Sequence, residues 1–220
     1  MTTLEQTAPL YRVSILATGF GRMWRAWRVI IPVVIINAVL QGLLLLPGIL
    51  PYLSLAFIVV ALLSLVVLIG SFGLVAAATL QAVEGAVSAA TALTTVRARL
   101  LPLLGWGIAL ALVATLGFAL YVLPGFIILA LTPYLLLAVI DGRRNPVAVN
   151  VRTIGARWGR WLITVLIMGV LCFVLWFLAA LDGFFVTGAP GAIIAWLTLG
   201  LVSSWFTCAW ALVYRSINPR

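Results

Sequence analysis

The chain contains neither histidine nor lysine, and its thirteen basic residues, all arginines, face only four carboxylates. Without histidine there is no imidazole to ligate haem or a metal ion, or to activate a serine or cysteine nucleophile. Without lysine, the phosphate-binding loop of ATP-hydrolysing enzymes cannot be built. The sequence therefore predicts a protein that is not an enzyme and that has no cofactor and no metal site.

The few carboxylates lie away from the middle of every long apolar segment. A proton or ion relay through a membrane normally needs an acid inside the helix bundle. We therefore do not expect transport coupled to ions through a buried carboxylate. The four acids are Glu5, Glu84, Asp141 and Asp182.

Apolar residues make up 65% of the chain, and its mean hydropathy is +1.30. Too little polar surface remains to coat a soluble globule, so we predict a single all-α integral membrane domain over residues 1–220. A helix needs about 20 apolar residues to cross about 30 Å of hydrocarbon, and six segments qualify as transmembrane helices arranged in three hairpins. They are residues 28–46, 52–80, 103–122, 126–140, 161–181 and 192–213. The fourth is short and contains Pro133, so we expect it to be kinked or to penetrate part of the way.

The arginines fall on one side of the membrane once these segments are threaded. They precede the first segment, follow the second, fourth and sixth, and are absent from the other three connections. Arginine-bearing loops stay in the cytoplasm, so both termini are predicted there. The all-arginine, alanine- and valine-rich composition is typical of a bacterial genome rich in G and C, which indicates a bacterial inner membrane. The net charge of +9 is explained by topology and anionic lipid headgroups, so nucleic acid is not an expected partner.

Three similar units follow one another, each with an arginine-bearing segment, an apolar segment, a turn and a returning segment. Residues 21–28 are similar to residues 155–161, and residues 46–57 are similar to residues 123–139. Threefold duplication and chance similarity between apolar segments both remain open.

Two segments, residues 12–28 and 145–161, have opposite apolar and arginine faces when drawn as helices. Such amphipathic helices lie in the membrane interface, with guanidinium groups toward the lipid phosphates. Residues 82–101, rich in alanine, serine and threonine, are predicted to form a linker helix on the same side. Two interpretations stay open: these helices only orient and anchor the chain, or they bind a cytoplasmic protein or lipid headgroups. The predicted interface residues are Arg22, Trp24, Arg25, Trp27, Arg152, Arg157, Trp158, Arg160 and Trp161.

Three polar residues inside the predicted transmembrane helices are the remaining candidates. Asn37 and Gln41 are four residues apart and share one face of the first helix, while Thr132 precedes Pro133 in the fourth. They either join neighbouring helices by hydrogen bonds or line a path that contacts a substrate.

Residues 123–161 have a distinctive spacing of proline, glycine and tryptophan. The sequence runs through Leu-Pro-Gly at 123–125, Pro133, Asp141-Gly142, Pro146 and Gly155-x-x-Trp158-x-Arg160. This spacing resembles the membrane domain of glycerophosphoryl diester phosphodiesterase-like proteins and the related YciC-type membrane family. Residues 85–122 are also similar to the linker and following helix of that family. The resemblance implies a polytopic membrane module without catalytic residues, and the chain departs from it in having Asp141 where the family has glutamate.

These observations predict a non-catalytic multi-pass protein that acts as an accessory or scaffold subunit of a bacterial envelope complex, or as a lipid-interacting module. The alternative is a permease-like subunit for an apolar or peptide substrate, powered by a separate ATPase that docks on the arginine-rich helices. Expected partners are anionic membrane lipids and another membrane or cytoplasmic protein, and self-association remains open. A polar cavity around Asn37, Gln41 and Thr132 would favour the permease, whereas a solid helix bundle would favour the scaffold.

Overall fold

The computed structural model describes residues 14–44, 54–120, 122–156, 158–185 and 188–219. All regular structure in those residues is helical, which confirms the all-α class for the described chain, and ten helices follow one another there. They are α1 (Ser14–Arg25), α2 (Trp27–Leu44), α3 (Leu55–Glu84), α4 (Ala89–Ala98), α5 (Leu100–Leu120), α6 (Val122–Leu131), α7 (Leu135–Ile140), α8 (Pro146–Gly155), α9 (Trp158–Phe185) and α10 (Gly188–Ile217).

Several stretches of this bundle have the length and composition of membrane-spanning helices. Five qualify among the described residues: Trp27–Leu44, Leu55–Glu84, Leu100–Leu120, Leu123–Ile140 and Gly188–Ile217. The predicted fifth helix, residues 161–181, lies within α9, where the described apolar stretch Trp161–Leu171 is shorter than a span. The predicted turn at residues 47–51 lies outside the described residues. The apolar helices agree with the membrane character that the composition predicts.

Helix α10 is the centre of the bundle and packs against α1, α2, α3 and α9. Small residues let the backbones approach closely. A Cβ added at Gly19 would come within 2.9 Å of the Ala209 nitrogen, and one added at Gly42 within 3.1 Å of the Ile193 nitrogen. Helices in lipid associate through such close van der Waals packing, because lipid tails remove the hydrophobic driving force between them.

Helices α5 and α6 form a close hairpin, but residues 123–125 are not its turn, although the sequence predicts one there. Helix α6 begins at Val122 and includes those residues, so the predicted helix start at 126 is too late. Pro124 is tolerated because it lies in the first turn, where backbone N–H groups have no partner within the helix. Gly125 faces α5, where a Cβ would collide with the ring of Phe118.

The fourth apolar stretch is interrupted between α6 and α7. Pro133 has no N–H and opposes a continuous helix, so neighbouring backbone groups need other partners. Asn150 of α8 supplies them: its Nδ2 donates to the Leu131 carbonyl at 2.7 Å, and its Oδ1 accepts from the Tyr134 N–H at 3.0 Å. The interruption therefore lies at the proline that the sequence marks, and a side chain from another helix stabilises it.

Several helix boundaries differ from those predicted. Helix α3 continues past the predicted end at residue 80 to Glu84 and stops at Gly85, whose φ of +144° suits only glycine. Helix α4 consequently occupies only part of the predicted linker 82–101. The predicted helix 145–161 is divided between α8 and α9, and the predicted helix 12–28 is divided at Ala26 between α1 and α2.

Arginines from separate parts of the chain gather at the end of the bundle where α2 begins and α3 and α10 end. The side chain of Arg22 reaches the end of α3, and Arg215 lies in the last turn of α10. The side chain of Arg99, which stands between α4 and α5, contacts the connection between α7 and α8. We call this end the arginine end. Helices α4 and α8 also lie there, because they connect the longer helices that begin or finish at this end.

Candidate functional site

Asp141 is the centre of a buried polar cluster at the arginine end. It follows α7 directly, and its side chain is 2% exposed. Its Oδ2 accepts hydrogen bonds from Arg143 Nε at 2.7 Å and from the Tyr214 hydroxyl at 2.9 Å. Its Oδ1 lies 2.7 Å from Arg215 Nη2. This carboxylate therefore joins the connection between α7 and α8 to the last turns of α10.

Arg215 lies between two carboxylates. Its Nη2 is 2.6 Å from Glu84 Oε1 and 2.7 Å from Asp141 Oδ1, and its side chain is 8% exposed. Its guanidinium carbon lies 5.6 Å from the centre of the Tyr214 ring. The Nε and Nη1 atoms of Arg215 are buried and have no hydrogen-bond acceptor among the described residues. A buried donor without an acceptor is costly, so these two atoms are the unsatisfied part of the cluster.

The connection that carries Asp141 depends on Gly142. The φ of Gly142 is +78°, in the left-handed region, and the Arg143 N–H donates to the Ala138 carbonyl at 3.0 Å to cap α7. A Cβ at this position would also collide with the guanidinium of Arg99, which lies over the glycine. The side chain of Arg99 has no hydrogen-bond or ion-pair partner among the described residues. The glycine thus permits both the turn and the close approach of a second guanidinium group.

Asn218 fastens the end of α10 to α8. It is 1% exposed, and its Nδ2 donates to Thr153 Oγ1 at 2.8 Å and to the Tyr214 carbonyl at 3.1 Å. Its Oδ1 accepts from Arg152 Nη2, and its carbonyl accepts from Arg143 Nη2 at 3.1 Å. Four neighbouring side chains or backbone groups therefore fix the position of this single residue.

The electrostatics of the cluster keep Asp141 ionised. Burial raises the pKa of its carboxyl, but this is more than offset by hydrogen bonds from Arg215, Arg143 and Tyr214 and by the charge of Arg215. The pKa of Asp141 therefore lies below its ordinary value of 3.8. The pKa of Arg143 is raised, chiefly because its guanidinium donates to Asp141. The cluster is consequently a network of charged groups at neutral pH.

Helix α1 packs against α10 with part of its predicted apolar face. The Leu16 carbonyl accepts a hydrogen bond of 2.7 Å from Trp205 Nε1. One turn later Gly19 packs on Ala209, so this part of α1 lies close against α10. The predicted apolar face is divided: Leu16 and Met23 are buried against the bundle, whereas three aromatic residues are exposed. These are Phe20, Trp24 and Trp27, which are 51%, 63% and 47% exposed.

The predicted interface arginines have different surroundings. Arg22 Nη1 donates to the Ala82 carbonyl at 3.0 Å and thereby fastens α1 to the end of α3. Arg152 donates to Asn218, as described above for the end of α10. The side chain of Arg25 is exposed and has no hydrogen-bond or ion-pair partner among the described residues. Two of these arginines thus bond within the protein, and the third is an exposed cation.

The second predicted interface segment is divided in a comparable way. Helix α8 packs against the bundle with Pro146, Asn150 and Thr153, whereas Val147 and Val151 are 44% and 62% exposed. Trp158 is 66% exposed at the start of α9, whereas Trp161 is 7% exposed and belongs to the core. Arg157 and the side chain of Arg160 lie outside the described residues.

The polar residues predicted within the membrane bond to different parts of the structure. Asn37 and Gln41 are buried, and Gln41 Nε2 donates to the Ser64 carbonyl of α3 at 2.9 Å. The Ser64 hydroxyl donates to Gln41 Oε1 in return, and Gln41 Nε2 also contacts Asn37 Oδ1 at 3.4 Å. Thr132 instead donates to the Ile128 carbonyl of its own helix at 2.7 Å. The pair on α2 therefore joins α2 to α3.

Sequence reasoning missed the convergence on Asp141. The available signal was the scarcity of acids, because in a chain with thirteen arginines each of the four carboxylates is expected to pair with an arginine. The partners Tyr214 and Arg215 are distant in sequence and lie in an apolar helix whose pattern does not mark them. The predicted interface residues were found by their local pattern, whereas this cluster depends on tertiary contacts.

The guanidinium groups of the site can donate hydrogen bonds and attract an anion. Within the described residues, no three histidine, cysteine or acidic side chains converge to hold a metal ion. No family model, curated protein or solved structure matches the chain. The resemblance of residues 123–161 to the phosphodiesterase-associated membrane family stays a prediction.

Proposed function

We propose that this protein is a non-catalytic, six-span scaffold or accessory subunit of a bacterial envelope complex, with its arginine end in the cytoplasm. The observation that carries the proposal is the exposed aromatic face of α1. One face of α1 packs against α10, whereas Phe20 and Trp24 of α1 and Trp27, the first residue of α2, are exposed and form what we call the aromatic face of α1. A helix that is already fixed in place loses little conformational entropy when a partner docks on it.

The chemistry of this face indicates the kind of partner. Trp and Arg dominate the residues that contribute most to protein–protein binding. Arg25 and Arg28 are exposed beside Trp24 and Trp27, and the Arg28 guanidinium carbon lies 5.8 Å from the centre of the Trp27 ring. The complementary partner is an apolar protein segment that carries carboxylates. Lipid contact is the competing explanation, because the same residue types occur at bilayer interfaces.

The buried polar side chains support a scaffold over a permease. A transport path needs polar groups that remain available to the substrate. Gln41 and Ser64 bond to each other, and Asn150 bonds to backbone groups at the break between α6 and α7. These side chains stabilise helix contacts in a packed bundle, which is what a scaffold requires.

The proposed orientation and number of spans follow from charge and helix length. The described arginines with tertiary contacts gather at one end, and arginine-bearing loops stay in the cytoplasm. Helix α9, with 28 residues, is long enough to supply the sixth span when a helix rises about 1.5 Å per residue. Both termini then lie in the cytoplasm.

The test removes two rings of this aromatic face singly, with Trp24→Ala and Trp27→Ala in the full-length protein in its native membrane. Trp158→Ala is the matched control, because it removes a comparably exposed tryptophan from the start of α9. We expect at least one of these two substitutions to lower recovery of a specific co-purifying protein about tenfold, the effect of about 1.4 kcal/mol. Membrane insertion and abundance should not change.

Two results would contradict this reasoning. If Trp24→Ala, Trp27→Ala and the control lower insertion and abundance to the same extent, these tryptophans anchor the chain in lipid and do not bind a partner. If Trp24→Ala and Trp27→Ala together leave every co-purifying protein at its original level, the scaffold proposal is wrong.

A further inference from the structure

The strongest unexplained feature of the structure is the pair of buried donors on Arg215. A guanidinium group carries five N–H donors in a fixed plane and accepts nothing. Only Nη2 of Arg215 lies beside carboxylates, and Nε and Nη1 have no acceptor among the described residues, although the side chain is 8% exposed. Buried donors are almost always paired with protein, water or ligand, so two nitrogen atoms of one charged group, with three N–H donors between them, point to a bound species.

A second guanidinium group, that of Arg99, lies next to the connection that carries Asp141. Arg99 lies over Gly142, the residue that follows Asp141, and a Cβ at Gly142 would come within 2.8 Å of the Arg99 guanidinium carbon. Arg99 and the exposed Arg144 have no partner among the described residues. The guanidinium groups around the connection between α7 and α8 therefore outnumber the carboxylates, which are contributed by Asp141 and Glu84.

An oxyanion satisfies both observations, whereas water satisfies only the first. Water would accept from the buried donors but would leave the excess positive charge uncompensated. Phosphate oxygens accept charge-assisted hydrogen bonds from guanidinium groups, and arginine is favoured where phosphate is recognised. The ends of apolar helices lie near the depth of lipid headgroups, so the phosphate of a membrane lipid and free phosphate share the required chemistry.

We infer that the arginine end binds a phosphate group at the connection between α7 and α8, with Arg215 Nε and Nη1 and the Arg99 guanidinium as donors. Asp141 and Glu84 hold Arg215 through Nη2 and thereby fix the direction of its other donors. The residues of this site differ from those of the aromatic face, and its existence does not depend on the proposed scaffold function.

The experiment uses the full-length protein, purified in mild detergent without phosphate. Dioleoyl phosphatidic acid and dioleoylglycerol are compared by native mass spectrometry, because they share acyl chains and differ in the phosphate. Inorganic phosphate is tested separately by its effect on the thermal unfolding midpoint. The variants are Arg99→Gln and Arg215→Lys, and Arg25→Gln is the control because Arg25 is also exposed and unpaired in the described structure.

We expect one saturable phosphatidic acid, little retained dioleoylglycerol, and affinity about tenfold weaker in both site variants but unchanged in Arg25→Gln. Stabilisation by inorganic phosphate alone, lost in Arg99→Gln, would identify free phosphate as the ligand and would also support the site. If Arg215→Lys does not fold, Arg99→Gln decides, since that side chain has no described structural partner. Equal effects of Arg99→Gln and Arg25→Gln, or no phosphate-dependent binding, would overturn the inference and leave the donors hydrated.

Discussion

Asn150 allows a quantitative test of how the interrupted helix is stabilised. The side chain is 3% exposed and makes two hydrogen bonds to the backbone on either side of Pro133. Asn150→Leu keeps a similar shape but removes both bonds. The buried Tyr134 N–H then lacks its acceptor, at a cost of about 1–3 kcal/mol, and the partly buried Leu131 carbonyl lacks its donor, at about 1 kcal/mol. The free energy of unfolding should therefore fall by about 2–4 kcal/mol.

The assay is reversible unfolding in mixed detergent micelles, followed by the loss of helical circular dichroism. Asn145→Ala is the matched control, because Asn145 is an asparagine of the same helix that caps α8 by accepting from the Ala148 N–H at 3.0 Å. Loss of a helix cap costs about 1 kcal/mol, so the control should be clearly milder.

A second variant tests whether Asn150 acts through the interruption. Pro133→Ala restores a backbone N–H and permits a continuous helix, in which the Tyr134 N–H has a partner within its own chain segment. Asn150→Leu should then cost at least about 1 kcal/mol less in the Pro133→Ala background, as a coupling between the two sites. The reasoning would be refuted if Asn150→Leu cost no more than Asn145→Ala, or if its cost were the same in both backgrounds.

Two further predictions concern the arginine end. Because the pKa of Asp141 in the folded protein lies below 3.8, its ionic contribution to stability should be complete above about pH 3.8 and should be lost as the pH falls through that lower pKa. Asp141→Asn should therefore abolish this acid-dependent decrease of the thermal unfolding midpoint. An acid profile that is unchanged in Asp141→Asn would contradict the network. The proposed orientation is tested with a membrane-impermeant thiol reagent added to intact cells. It should label Pro190→Cys, at the opposite end of α10, and leave Arg99→Cys unlabelled, and lysed cells are the control. Labelling of Arg99→Cys in intact cells would show that the orientation is the opposite one.

The sequence predicts those features that depend on neighbouring residues. Apolar runs identify the long helices, and Pro133 marks the interruption because its effect on the helix is local. The same local reasoning fails at Pro124, where a Leu-Pro-Gly sequence is typical of a turn but the structure has the first turn of α6. The difference arises because Gly125 packs closely on the neighbouring helix α5, a contact that no local pattern records.

The candidate sites show the same division between local and distant contacts. Trp24 and Trp27 are recognised by helical periodicity beside arginines, and both are exposed. Trp161 has the same periodicity but is buried, because α9 turns that residue toward the core. The partners of Asp141 in α10 are 73 residues away or more, and their helix is apolar on most sides. Only the folded arrangement of α3, α7 and α10 brings these charges together.

The contact between Leu16 and Trp205 has a consequence for biosynthesis. These residues are 189 positions apart, so at roughly 5–20 residues per second the ribosome needs about 10–40 s to make the second after the first. During that interval α1 lacks the neighbour that covers its packed face. The insertion machinery, a chaperone or the lipid itself must shelter that face until the last helix arrives. Assembly of the bundle is therefore a late event, and a nascent chain arrested before α10 should be recognised and degraded by membrane quality control.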